Sequence, residues 1–190
     1  KLFAQSGYMG TSMNDIASKL GVTKAALYKH YKSKQEILDS IIDKMNKLDM
    51  ERVKRYEMPE GDLEKVAAEY KETAFDKIKQ FTKVQFLHWT EEEFSSCFRK
   101  MLILEQYRDP QMAQLYQNYL AGGPLTYIEA LFSDMLGDAR KARQTALDFY
   151  GPIFLLYSIY DGVDDENKVI KLLEDHMDHF LQEMQKNTSN

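Results

Sequence analysis

Lys24, Lys29, Lys32 and Lys34 crowd into residues 21–38 beside Tyr28, His30 and Tyr31. Ammonium groups interleaved with aromatic rings and hydroxyls are the side chains that meet a phosphate backbone. The rest of the chain sets this cluster apart. The 190 residues carry a formal charge of −5, yet residues 1–48 hold eight Lys and no Arg against four Asp and Glu, a net of +4. Residues 49–190 hold 17 Lys and Arg against 26 Asp and Glu, a net of −9. A basic head on an acidic body turns only the head towards a polyanion.

Other groups capable of chemistry form weaker patterns. His176 and His179 stand three residues apart, a spacing that suits a metal ion, but Glu174, Asp175 and Asp178 around them read as a solvated face. His88 and Glu91 make a single His-x-x-Glu, whereas di-metal carboxylate bundles need that pattern twice. Glu105 shares a helical face with Phe94, Phe98, Met101 and Leu102, where a carboxylate could meet a cationic or hydroxylated ligand, Arg108 or another subunit. Isolated pairs of this kind do not make a catalytic centre, so no enzyme, metal or cofactor is expected. The single cysteine, Cys97, excludes an internal disulfide and makes a cytoplasmic setting the default. No apolar run reaches the roughly 18 residues of a membrane span.

The elements that position the cluster are helices. Ser12 to Asp15 reads as a capping box opening a helix whose apolar face is Ile16, Ala17 and Leu20, stopped by Gly21. Thr23 caps a short third helix in which Leu27 and Tyr31 face inward while Lys24, Ala25, Tyr28 and Lys29 face out. Ser33 to Glu36 is a second capping box, leaving helix-terminal amides for a phosphate. Its helix buries Ile37, Leu38, Ile41, Ile42, Met45 and Leu48. Met58-Pro59-Glu60-Gly61 is the clearest break. Further helices are expected at about 62–88, 91–107, 110–121, 125–137, 141–160 and 165–186, with a capping box at Thr90 to Glu93, a proline start at Asp109-Pro110 and a structureless tail at 187–190. No strand pattern is visible, so the expected fold is all-α. The chain opens on Lys1-Leu2-Phe3-Ala4 with neither Met nor cap, which is expected to be the interior of a helix with a segment missing before it.

Helix, turn at Gly21-Val22-Thr23, helix is the pattern that lays a second helix in a DNA major groove. Residues 7–38 also resemble the signature of the TetR family of transcriptional regulators. The residues that carry the resemblance are Gly7, Tyr8, Thr11, Ser12, Asp15, Ile16, Ala17, Gly21, Val22, Thr23, Leu27, Tyr28, His30, Tyr31 and Lys34. The resemblance implies roles residue by residue. Thr11 and Ser12 would start the supporting helix beside a phosphate, Thr23, Lys24 and Ala25 would open the recognition helix towards bases, and Tyr28, His30 and Lys34 would touch the backbone. Two positions depart. Ala25-Ala26 stands where the family often has Gly-Thr, so a hydroxyl contact is missing. Lys29 occupies a variable position and reads guanine or a phosphate.

The resemblance also implies two parts, a DNA-binding domain over 1–48 and a ligand-binding and dimerisation domain over 49–190. The aromatic and Met content of the body suits core and a mouldable apolar pocket. Trp89, Phe98, Met101, Glu105 and Tyr107 are the candidate pocket residues for a small apolar or aromatic effector. The last two helices carry long apolar stripes, and Phe149, Ile153, Tyr157, Met177 and Phe180 are the expected dimer surface. A homodimer sets two recognition helices roughly 34 Å apart on an inverted-repeat operator in double-stranded DNA. The expected function is a ligand-responsive repressor. The alternative is a helical ligand- or metal-binding protein without DNA-binding activity.

Overall fold

The computed structural model describes residues 1–56 and 75–188, and every described element is a helix. They are α1 (Leu2–Ser6), α2 (Met13–Leu20), α3 (Lys24–Tyr28), α4 (Lys34–Arg55), α5 (Phe75–Thr90), α6 (Glu93–Glu105), α7 (Pro110–Leu120), α8 (Gly122–Leu136), α9 (Ala139–Tyr160) and α10 (Glu166–Thr188). The break at Met58 to Gly61 and the start of the helix expected from 62 lie outside the described residues. The tail is shorter than expected, because α10 continues through Asn187 and Thr188; Ser189 and Asn190 lie outside the described residues.

Capping chemistry explains most boundaries. Ser12 Oγ accepts from Asp15 N at 3.2 Å while Asp15 Oδ2 accepts from Ser12 N at 2.8 Å, a complete capping box. Gly21 ends α2 at φ 67, the left-handed conformation that favours glycine. Thr23 Oγ1 accepts from Ala26 N, Ser33 Oγ from Glu36 N and Asp109 Oδ1 from Met112 N. Three expectations fail here. The box expected at Ser33 to Glu36 is only half formed, because the Glu36 side chain accepts from Lys32 N and not from Ser33 N. Thr90 stays inside α5, its hydroxyl donating back to Phe86 O, and the N-cap of α6 is Glu92 without a side-chain bond. The break expected at Gly122-Gly123-Pro124 sits one residue earlier, at Ala121, and those three residues form the first turn of α8, where a proline lacks nothing.

The head has its own small core of Met13, Ala17 and Leu27, with Ile16, Tyr31 and Ile37 packed against it. Leu20, expected on that face, is 62% exposed. The body core centres on α9, which packs against α5, α8 and α10. Phe86 of α5 stacks on Tyr157 of α9 with ring centroids 5.1 Å apart. Arg99 is fully buried, yet satisfied: its two terminal nitrogens donate to Asp161 at 2.9 and 2.8 Å and Nε donates to Trp89 O. A buried guanidinium is tolerable only in such full pairing. α4 is one unbroken helix across the expected boundary at residue 48, about 33 Å long at 1.5 Å per residue.

The residues expected at a dimer surface turn inward in the single chain. Phe149, Ile153, Tyr157 and Met177 are buried in the chain's own core, and Phe180 is half-buried between Phe132 and Phe149. Leu147, Phe154 and Leu155 of α9, Leu172 of α10 and Val163 in the turn between them are the exposed large apolar residues of the hairpin.

Candidate nucleic-acid interface

The head presents one face rich in donors. Lys24, Ala25, Tyr28, Lys29 and His30 are all exposed, because Leu27 and Tyr31 take the inward positions of the same turns. Lys24 Nζ lies 5.8 Å from the Tyr28 ring centroid, so cation and phenol form one patch. Between the start of α2 and this patch runs a cleft of about 460 Å³, lined by Ser12, Asn14, Lys24, Tyr28 and Lys34 among others. Lys34 ties the cleft together. Its Nζ donates to Tyr8 O at 2.5 Å and Thr11 O at 2.7 Å and sits 4.3 Å above the Tyr8 ring. An ammonium has three N–H donors, so one remains for a phosphate. Glu36 folds back over the start of α4, where its Oε2 accepts from Lys32 N. That places a carboxylate beside the helix terminus expected to receive a phosphate.

The head is docked on the body at several points. α1 packs on α6. Gly7, between α1 and α2, sits against the fully buried Glu105, whose Oε1 accepts from Met9 N at 3.4 Å and lies 3.9 Å from Arg108 Nη1. Glu105 Oε2 is buried without a hydrogen bond. Further along α4, Lys44 Nζ lies 4.1 Å above the Phe94 ring and Asn46 Oδ1 accepts from Tyr119 Oη. Near its end the buried Arg52 donates to Asp49 Oδ1 at 2.9 Å and Gln85 Oε1 at 2.8 Å, with Nη2 2.7 Å from His88 Nε2. His88 Nδ1 in turn lies 2.8 Å from Glu92 Oε2. A guanidinium can only donate, so His88 Nε2 accepts, and Nδ1 carries the proton given to Glu92. Burial, reinforced by the Arg52 charge, pushes the imidazole down to about 4, which keeps it neutral in this relay.

Beside this clasp lies a cavity of about 510 Å³ between α4, α5, α7, α8 and α9. Rings of Phe81, Trp89, Tyr119, Tyr127, Tyr150 and Tyr157 form much of its wall. Its polar lining is Asp49, Thr82, Gln85 and Asn118 together with the tyrosine hydroxyls. Tyr150 Oη donates to Leu120 O, and burial raises this phenol far above its ordinary range. Desolvation pushes the Asp49 carboxyl up to about 6 despite its Arg52 partner.

Residues 1–41 match the model of the family described as bacterial regulatory proteins, tetR family. The head belongs to the TetR family. The HTH-type transcriptional regulator YerO of Bacillus subtilis is 37% identical over 57 residues, 30% of this chain and 20% of that protein. IcaR, the negative transcriptional regulator of the biofilm operon icaADBC in Staphylococcus epidermidis, is 47% identical over 36 residues, 19% of this chain and 20% of that protein. The chain thus spans about a fifth of the length of these curated relatives. In fold it resembles, over nearly its whole length, a Mesorhizobium loti TetR-family transcriptional regulator, with a TM-score of 0.58, 18% identity and coverage of 95% of this chain and 89% of that one. A Clostridium perfringens chain named as a fatty acid metabolism regulator gives a TM-score of 0.57 at 23% identity, covering 93% of this chain and 91% of that one.

Three of the expected contact residues spend their side-chain donors within the head, and one of them is Ser12, whose Oγ donates to Asp15 Oδ2 at 2.6 Å. Thr11 is 3% exposed and its hydroxyl donates to Gly7 O at 2.7 Å, so it builds the loop instead of offering a donor. Lys34 spends most of its donors on the same loop. Of the five expected pocket residues only Trp89 lines the cavity. Phe98 lies one layer behind, against Trp89 and Tyr119, and Met101 is core. Glu105 belongs to the head contact, and Tyr107 is 90% exposed because α6 ends two residues before it. Sequence reasoning missed Asp49, Arg52 and Gln85, whose polar types on a long exposed-looking helix and its neighbour give no periodic signal. The histidine pair also resolves differently: His176 Nε2 lies 3.0 Å from Phe149 O, and among the described residues no group of three His, Cys, Asp or Glu is placed to hold a metal.

Proposed function

We propose that this chain is a DNA-binding transcriptional repressor that grips an inverted-repeat operator as a homodimer and lets go when a small molecule fills the α4–α9 cavity. The observation that carries this reading is the exposed Lys24–Ala25–Tyr28–Lys29 face on a TetR-type head, set on an acidic body that would otherwise repel a polyanion. IcaR, similar over the head, is named a negative regulator, which supports repression. Among the described residues no helix is long and apolar enough to cross a membrane. A cytoplasmic setting accords with the regulator reading. The exposed Leu147, Phe154 and Leu155 of α9 and Leu172 of α10 support self-association, because apolar side chains left on the surface of a hairpin are a usual sign of an interface.

The mechanism needs a lever, and α4 supplies one. It begins under the recognition helix and ends at the Arg52–His88 clasp beside the cavity. A ligand that moves Asp49 or Trp89 displaces the clasp and rotates the head that α4 carries. Gel shifts with DNA upstream of the gene and its neighbours test the reading. A discrete shift that weakens with salt is expected; no shift on any such DNA would favour a helical ligand-binding protein without DNA-binding activity.

A further inference from the structure

We infer that the cavity takes a lipophilic organic cation, its positive centre held between the Asp49 carboxylate and the aromatic wall that includes Trp89 and Tyr119. This rests on reading the cavity as the effector site. Asp49 is the only charged residue among the described lining residues, which otherwise carry rings, aliphatic groups and neutral polar groups. Aromatic faces carry negative potential and attract cations, the more so where water is excluded. Trp89 and Tyr119 stand edge to face at 6.2 Å, and Tyr119 is hydrogen-bonded to Asn46, one turn from Asp49 on α4, so rings and carboxylate converge.

The charges around Asp49 favour the same occupant. From α4 comes Arg52, from α5 the neutral His88, and from the turn after it Glu92. Two carboxylates against one guanidinium leave this cluster one negative charge in excess. Arg52 holds Asp49 through Oδ1; the other oxygen, Oδ2, has no hydrogen bond among the described residues. Arg99, outside the lining, lies 5.5 Å from the Tyr157 ring and is paired with Asp161. An anionic ligand would have to pull Arg52 off Asp49 and leave that carboxylate buried and unpaired.

The chain's single tryptophan, Trp89, reports occupancy directly. The full chain is titrated with tetraphenylphosphonium and with tetraphenylborate, ions of like shape and opposite charge, and Trp89 emission and heat of binding are followed. At least tenfold tighter binding of the phosphonium, and loss of that preference in Asp49→Asn, are expected. Equal binding, a preference for the borate, no binding of either ion, or an undiminished preference in Asp49→Asn overturns the inference. The two-ion comparison on the unmodified chain stands even where the variant fails to fold. A gel shift run in parallel separates this from the regulator reading. Cation selectivity without operator binding leaves the site standing and removes the regulator; operator binding without cation selectivity does the reverse.

Discussion

At the scale of single residues, the loop between α1 and α2 is where local conformation and interface meet. Gly7 adopts φ 77 and ψ 160, a region essentially restricted to glycine, and a Cβ there would lie 1.9 Å from Glu105 Oε1. Gly7→Ala therefore combines backbone strain with a clash against a buried carboxylate and should cost at least about 2 kcal/mol. Urea unfolding midpoints measure it, and a variant as stable as the parent would show that the loop is free to move off α6. Lys34 works from the other side of the same loop. Its two carbonyl bonds leave one N–H for DNA. Lys34→Ala should therefore weaken binding evenly across sequences and lower the salt slope by about 0.9. Lys24→Ala should alter base preference as well, by about 1–3 kcal/mol at one position if Lys24 grips a guanine. A Lys34→Ala variant with an unchanged salt slope would leave that lysine a purely structural role. Residue types showed that this stretch is basic and aromatic. They did not show that Thr11 and Lys34 turn inward, because orientation there depends on Tyr8 and on a loop with no periodicity.

Helices were the most legible level, since Ser12, Thr23, Ser33 and Asp109 announce their own starts through side-chain chemistry. Periodicity also revealed apolar stripes on α9 and α10, but a stripe has no label saying whose core it enters. The one carrying Phe149 and Ile153 fills the chain's own interior, and the proposed interface falls on Leu147, Phe154, Leu155 and Leu172. The two roles separate by mutation. Leu155→Asp should give a folded monomer, whereas Phe149→Asp, which buries an unpaired charge, should not fold at all. Light scattering and circular dichroism decide, and a Leu155→Asp dimer would move the interface elsewhere. The α4–α5 clasp makes a prediction of its own. His88 titrates near 6.5 unfolded and about 4 folded, so its contribution to stability is present above pH 6.5 and lost as the pH falls towards 4. Asp49 titrates near 3.8 unfolded and about 6 folded, so its contribution is present below 3.8 and lost as the pH rises through 6. Over their shared window the two offset each other. Asp49→Asn removes one of them, and its stability should fall more steeply than the parent's between pH 6.5 and 4, by about 1–2 kcal/mol after allowance for solvent screening. Parallel pH profiles for the two proteins would mean that the clasp does not govern either titration.

The molecule as a whole couples a head of +4 to a body of −9. That division was legible from composition alone, and it assigns the polyanion to one end. The proposed coupling route was not, because Arg52, His88 and Glu105 are polar groups buried by contacts far apart in sequence. α4 is held at both ends, by Lys34 on the loop between α1 and α2 and by Arg52 beside the cavity. A ligand can weaken DNA binding only through a difference in its affinity for the gripping and released arrangements. A hundredfold loss of operator affinity requires about 2.7 kcal/mol of such coupling. Linkage then fixes the reverse effect: saturating operator must weaken binding of the same ligand a hundredfold. In the proposed mechanism a bound cation that shifts Asp49 would strain the Arg52–His88 clasp and turn α4, and DNA that holds α4 in place would resist that shift. Titration calorimetry with tetraphenylphosphonium, run with and without operator, measures both arms on one preparation. Breaking the clasp with Arg52→Met should shrink both effects by the same factor, since they are one free energy measured from two sides. Equal phosphonium affinities with and without operator would show that the cavity is not connected to the head, whatever fills it.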